Sequence, residues 1–201
     1  MYNISTKVGC GMTKYRIDEN KMLVVRENHG IGSKSSLYDY VSKNNFTKVA
    51  PGIYVAQDQI VDKMFVLSKR CPKGVLSHED ALYFHGLIDR EPMKHCITVY
   101  SGYNPSRLSK SGYQVFTVKK ELLEIGKTYV VNHFGNEVPM YDLERTICDL
   151  FRNRNYFEIQ EFTTAIKTYV SMPSKDITKL MRYAKLFRVE KIVRQYMEVL
   201  L

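Results

Sequence analysis

The chain has 201 residues, enough for one large domain or a small module joined to a medium one. At 44% hydrophobic and 25% charged residues it lies in the globular range, which excludes an intrinsically disordered chain. Thirty Lys and Arg against 21 Asp and Glu leave a formal charge of +9, which points first to nucleic acid and second to an acidic protein, with a solvated basic surface as the plainer account.

No apolar run approaches the length of a bilayer span, and Met1 to Tyr15 lack a signal-type apolar core. Cys10, Cys71, Cys96 and Cys148 form no Cys-x-x-Cys pair. Structural zinc is therefore not expected, and reduced thiols in the cytoplasm are.

Residues 1–17 read as a mobile arm. The run DENKMLVVREN, Asp18 to Asn28, reads as one helix, with Asp18 and Glu19 in its first turn and His29-Gly30 at its end. In IGSKSSLYDYVSKNNF, residues 31–46, Ser33 suits an N-cap. Leu37, Tyr40 and Val41 follow at i, i+3 and i+4, giving one apolar stripe opposite a polar, basic face. Phe46 to Val49 and Ile53 to Ala56 flank Ala50-Pro51-Gly52, the residue types of a type II turn. A hairpin directly after a recognition-type helix is a wing. Ser33, Lys34, Ser35, Ser36 and Tyr38 are the residues expected at the major groove, with Lys43 and Lys48 on phosphates. An ordinary helix and hairpin in a core is the plainer account.

Residues 57–91 read as two helices, Gln59 to Arg70 and one starting at Ser77 with a Ser-x-x-Asp capping pattern to Asp80. His95 to Tyr100, Tyr113 to Lys119, Lys127 to Phe134 and Glu137 to Met140 read as strands, separated by Gly- and Asn-bearing turns. Four helices follow. The first is capped by Asp142 and carries Cys148 on its apolar side. The segment 101–120 sets Arg107, Lys110, Lys119 and Lys120 among Tyr103 and Tyr113. That mixture suits nucleic acid or an acidic protein face, and equally a solvated loop.

Little points to catalysis. His78 and His85 are seven residues apart, two helical turns, so they do not form a His-Glu-x-x-His zinc site. Asp142, Glu144 and Asp149 resemble a nuclease carboxylate set, but their place at a helix start reads as dipole complementation. No Gly-x-Gly-x-x-Gly, Walker loop or Gly-x-Ser-x-Gly elbow is present. The expectation is a binder, not an enzyme, with no cofactor and no metal.

PGIYVA at 51–56, SHEDALYFHGL at 77–87, SGYNPSRL at 101–108, YDLERTICDLFR at 141–152 and LMRYAKLFRVEKIVRQYMEVLL at 180–201 occur in this order. Together they resemble the AbiEi family of antitoxins from type IV toxin–antitoxin, or abortive-infection, systems. The resemblance implies an α+β fold. Its winged helix-turn-helix-like module, at 18–56, is shortened because one helix rather than two precedes Ser33. A mixed α/β antitoxin domain, ending in a helical bundle, occupies 57–201. It further implies binding to an inverted-repeat DNA operator and autorepression. A nucleotidyltransferase-like AbiEii toxin would be neutralised without a stable complex, in phage defence. The alternatives are a protein-interaction antitoxin whose DNA reader is degenerate, and a stand-alone transcriptional regulator.

Overall fold

The computed structural model describes residues 15–19, 21–28 and 33–200. The chain is α+β and divides between Asp62 and Lys63 into two compact units.

Unit 1 holds β1 (Met22–Val24), a 3-10 turn (Val25–Glu27), α1 (Lys34–Lys43), β2 (Phe46–Ala50) and β3 (Ile53–Ala56). The strands form an antiparallel sheet of order β1-β3-β2, with Leu23 opposite Tyr54 and Lys48 opposite the same Tyr54 from the other side. The helix expected over Asp18 to Asn28 is thus replaced by a strand and a single 3-10 turn. Asp18 does not serve a helix start: its carboxylate accepts the Met22 N–H at 2.8 Å and its own N–H donates to Met22 O at 3.1 Å. Lys21 sits at φ +51 in the turn so formed. Met22, Leu23 and Val24 are contiguous and all buried, a pattern that pairing with β3 satisfies and a one-sided helix does not.

The hairpin forms as the sequence predicts. Gly52 takes φ +74, the value a type II turn requires at this position. Its carbonyl accepts the Val25 N–H at 2.9 Å, tying the 3-10 turn to the hairpin. Tyr15, Leu23, Leu37 and Tyr54 form the buried centre, and Val25, Tyr40, Val41 and Phe46 close around it. The arm expected over 1–17 falls mostly outside the described residues, as do His29 and Gly30. Its Tyr15, however, is buried, with its ring centroid 4.5 Å from that of Tyr40.

Unit 2 holds α2 (Lys63–Arg70), β4 (Val75–Leu76), α3 (Glu79–Phe84), β5 (Cys96–Tyr100), α4 (Ser106–Ser109), β6 (Gln114–Val118), β7 (Lys127–Val131), β8 (Glu137–Tyr141), α5 (Leu143–Arg152), α6 (Ile159–Ser171), α7 (Ile177–Leu186) and α8 (Glu190–Leu200). The sheet order is β6-β5-β4-β8-β7. The β5/β6 and β4/β8 pairs are parallel; β4/β5 and β7/β8 are antiparallel. The central strand β4 has only two residues, too few to show a period. It lies close under β5, since a Cβ on Gly74 would fall 2.4 Å from Ile97 Cδ1.

The four expected C-terminal helices form, as α5 to α8. Leu82, Ile147, Phe151, Ile166, Tyr169, Leu180 and Val193 meet in one core. Asp142 caps α5 by accepting the Arg145 N–H at 2.8 Å, and Asp176 caps α7 by accepting the Lys179 N–H at 2.8 Å. Cys148 is buried in the same core.

Two expected helix starts differ. α2 begins at Lys63, not Gln59, and α3 begins at Glu79, not Ser77. The Ser77–Asp80 capping pattern does not form. The Ser77 hydroxyl meets Thr98 Oγ1 at 2.8 Å, and Asp80 is drawn to the Cys96 N–H and to His95 Nδ1, 2.8 Å away. Both side chains are drawn to the β5 segment, a long-range tie that no local sequence signal announces.

Candidate nucleic-acid interface

α1 places its side chains by phase. Leu37 points into the core, with Tyr40 and Val41 half-buried beside it. Ser35, Tyr38, Asp39 and Ser42 recur at the i, i+3, i+4, i+7 spacing of the opposite, exposed face, flanked by Lys34 and Lys43. Tyr38 is 59% exposed, unusually open for so large a ring. Ser33 is the N-cap, accepting the Ser36 N–H on its hydroxyl at 3.3 Å. Ser36 itself turns inward, its hydroxyl 3.2 Å from Tyr15 OH, so it is the least available of the expected base-edge residues.

The hairpin comes alongside this face. Lys48 is exposed and directly opposite Tyr54, so both point to the same side of the sheet. Tyr54 is held above the ordinary tyrosine range by burial and by the nearby Tyr38 hydroxyl. Tyr54 thus links the α1 face to the strand that carries Lys48. Asp39 was not among the residues expected at the interface. Its carboxylate would repel phosphate but can accept from the amino group of cytosine. Only the helix phase shows that it shares the face with Tyr38.

Among the described residues unit 1 has one α-helix, α1. The strand at Met22–Val24 occupies the place of the helix expected before it.

The basic residues of segment 101–120 in unit 2 fall in two pairs. The segment contains α4 and β6, neither of them a loop. Arg107, Lys110, Lys119 and Lys120 are exposed. The first two precede β6 and the last two follow it, so the pairs stand roughly 16 Å apart along that strand. Tyr103 and Tyr113 do not interleave with them. Tyr103 is half-buried against Tyr100, and Tyr113 is half-buried under the guanidinium of Arg70, 5.7 Å from its ring centroid. Part of each ring is thus taken up by packing within unit 2.

The acidic residues near α5 are also structural. Asp142 and Glu144 each reach Lys179 at 3.1 Å, and Asp149 pairs with Arg145 at 3.1 Å. Arg145 is wholly buried. Its guanidinium lies 3.8 Å from the Tyr141 ring centroid and 4.0 Å from that of Phe187, and it donates to Leu122 O and Ile125 O. Burial pushes the Asp149 carboxyl up, against the pull of Arg145 and Arg152.

His78 was read only as half of a failed zinc motif. It is buried at φ +52 and ψ −122, in the turn between β4 and α3, and stacks on Phe116 at 3.4 Å between ring centroids. The Asn153 amide donates to Nε2 at 3.0 Å, so Nδ1 carries the proton and donates to Ser77 Oγ at 2.9 Å. Burial, then the charges of Arg145 and Arg152, hold His78 well below the usual histidine range. A neutral ring wedged in this way is a structural tie.

A cavity of about 540 Å³ opens beside Glu79, Glu158, Glu161 and Tyr156. The buried Cys96 thiol donates to Glu79 at 3.4 Å, and burial pushes it above the ordinary thiol range, which disarms it as a nucleophile.

No family model matches the chain, and no curated protein matches it. Among solved structures, the crystal structure of the RV2827C protein from Mycobacterium tuberculosis is similar, with a TM-score of 0.55 and 12% identity over 78% of this chain. The match spans 60% of the length of that protein. At this identity the likeness concerns the fold.

Proposed function

We propose that this chain is a DNA-binding antitoxin of the AbiEi type, in which unit 1 reads an inverted-repeat operator and unit 2 counteracts a nucleotidyltransferase-like toxin. The observation that carries the DNA-reading half is the exposed face of α1, capped by Ser33 and bearing Ser35, Tyr38 and Ser42, with Lys48 of the adjacent hairpin on the α1 side of its sheet. A helix enters the major groove with polar side chains at base edges, while a neighbouring hairpin holds the backbone. The antitoxin half rests on the ordered motifs from 51 to 201 that resemble that family. A second reading has its own support. With one helix in the described part of unit 1, the chain acts as an antitoxin through protein contacts alone.

The experiment is a mobility shift of the full chain on DNA upstream of its own reading frame, at several salt concentrations. Binding is expected to weaken steeply with salt; Lys48→Ala should reduce the salt slope by about one counterion, and Lys34→Ala should weaken binding and relax its sequence preference. Unchanged binding in both variants removes these residues from the interface. Absence of binding, with toxin rescue retained, selects the second reading.

A further inference from the structure

β7 is the last strand at one side of the unit 2 sheet. Its register with β8 decides where its backbone groups point. Asn132 N–H donates to Asn136 O at 2.9 Å and Asp142 N–H donates to Gly126 O at 2.7 Å. Both bonds lie in the register that sets Thr128 opposite Met140 and Val130 opposite Val138. In an antiparallel ladder bonded and non-bonded pairs alternate. Thr128 and Val130 are therefore the residues bonded to β8. Tyr129 and Val131 turn their N–H and C=O groups outward, off the sheet. Pro139, which has no N–H, stands opposite Tyr129, where β8 has no bond to give.

The same two residues expose their side chains. Tyr129 is 58% and Val131 63% exposed, and Phe134 in the following turn is 52% exposed. That turn is rigidly made. The buried Asn132 side chain accepts the N–H groups of Phe134 and Asn136, both at 3.0 Å, and Gly135 takes φ +79. Proteins usually blunt a free edge with proline, a bulge or a central charge. Within β7 the only charged side chain is Lys127 at its start, already paired with Glu124 at 2.9 Å. Among the described residues the edge is open in backbone and apolar in side chain, on a firm support.

We propose that β7 pairs antiparallel with β7 of a second copy of this chain, about a two-fold axis through Val130. This register joins Tyr129 to Val131 of the second copy, and Val131 to Tyr129, through four N–H···O bonds that use only the outward groups. It sets an aromatic ring beside a β-branched side chain twice on the exposed face, a favourable cross-strand pair. It leaves the Lys127 N–H with its present partner, Glu124 O at 3.3 Å, and puts no like charges opposite. An identical strand meets these conditions because the interface is isologous. The proposal stands apart from the DNA reading and is tested without DNA.

The test is sedimentation velocity of the full chain over a concentration series reaching the high micromolar range, since two five-residue strands bury little area and pair weakly. The wild type is expected to pass from monomer to dimer. Tyr129→Pro removes an outward N–H and no bond to β8, and Val131→Lys places a charge at the apolar contact. Both are expected to lose the dimer while keeping the wild-type circular dichroism. Amide exchange at Tyr129 and Val131 should slow with concentration while Thr128 and Val130 stay unchanged. A wild type that remains monomeric throughout, or a dimer that survives in both variants, overturns the proposal.

Discussion

The two units place their polar chemistry on opposite sides of their surfaces. In unit 1 the side chains of functional interest face outward from α1 and β2, and the core beneath is centred on Tyr15, Leu23, Leu37 and Tyr54, with Val25, Tyr40, Val41 and Phe46 packed around them. In unit 2 the most connected polar side chains, Arg145, Asp149, His78 and Asp80, are all buried. The charge is divided unexpectedly too. Residues 1–62 carry eight Lys and Arg against six Asp and Glu, and residues 63–201 carry 22 against 15. Most of the positive surplus therefore lies outside unit 1. Net charge of a whole chain suggests a class of partner and says nothing of which face meets it.

This contrast can be broken at three points. The largest effect is expected at Arg145. Arg145→Ala leaves Asp149 buried without its cation and frees two carbonyls, which should cost about 3–5 kcal/mol and be visible in the urea midpoint. A loss below about 1 kcal/mol would mean that the buried pair contributes little and that the contrast between the units is overstated.

Leu37→Ala should cost about 2–3 kcal/mol by opening the small core of unit 1. Amide exchange should report the loss in residues 15–62 and leave the α5–α8 amides as they were. Equal loosening of both units would show that they do not unfold separately.

The smallest effect concerns pH. His78 is kept neutral in the fold, with its pKa depressed below the unfolded value. The unfolded chain then takes up a proton that the folded chain refuses, so stability is fully present above the unfolded pKa and declines as pH falls through it. For one such group with an unfolded pKa near 6.5, the loss between pH 7.5 and 6 is about 0.8 kcal/mol. Denaturation midpoints of the wild type and His78→Asn at the two pH values isolate the contribution. An identical pH slope in both would assign the dependence elsewhere.

The parts of the fold that could be read from sequence were those with a period or a cap. α1, the hairpin and the four C-terminal helices repeat apolar residues at helical or strand spacing, and Ser33, Asp142 and Asp176 form the cap bonds. β1 was hidden because Met22–Val24 is short, contiguous and acid-led, a pattern that suits a helix start until β3 is there to pair with it. β4 was hidden by its length. At the interface, helix phase was enough to foresee Tyr38 and Lys34 outside. It was not enough for Ser36, which Tyr15 draws inward from 21 residues away. The half-burial of Tyr103 and Tyr113 was not legible for a related reason, since nothing local tells a packed aromatic from a displayed one.

The two-residue strand β4 sets the order in which unit 2 can be made. Leu76 aligns with Met140, so the pairing that joins the two halves of the sheet closes a loop of 64 residues. Such a closure is entropically slow, and contacts of this span lengthen folding times. During synthesis β5 and β6 emerge from the ribosome ahead of β8. The half-sheet β6-β5-β4 must wait with one side open, and the emergence of residues 137–141 is the event that shuts it.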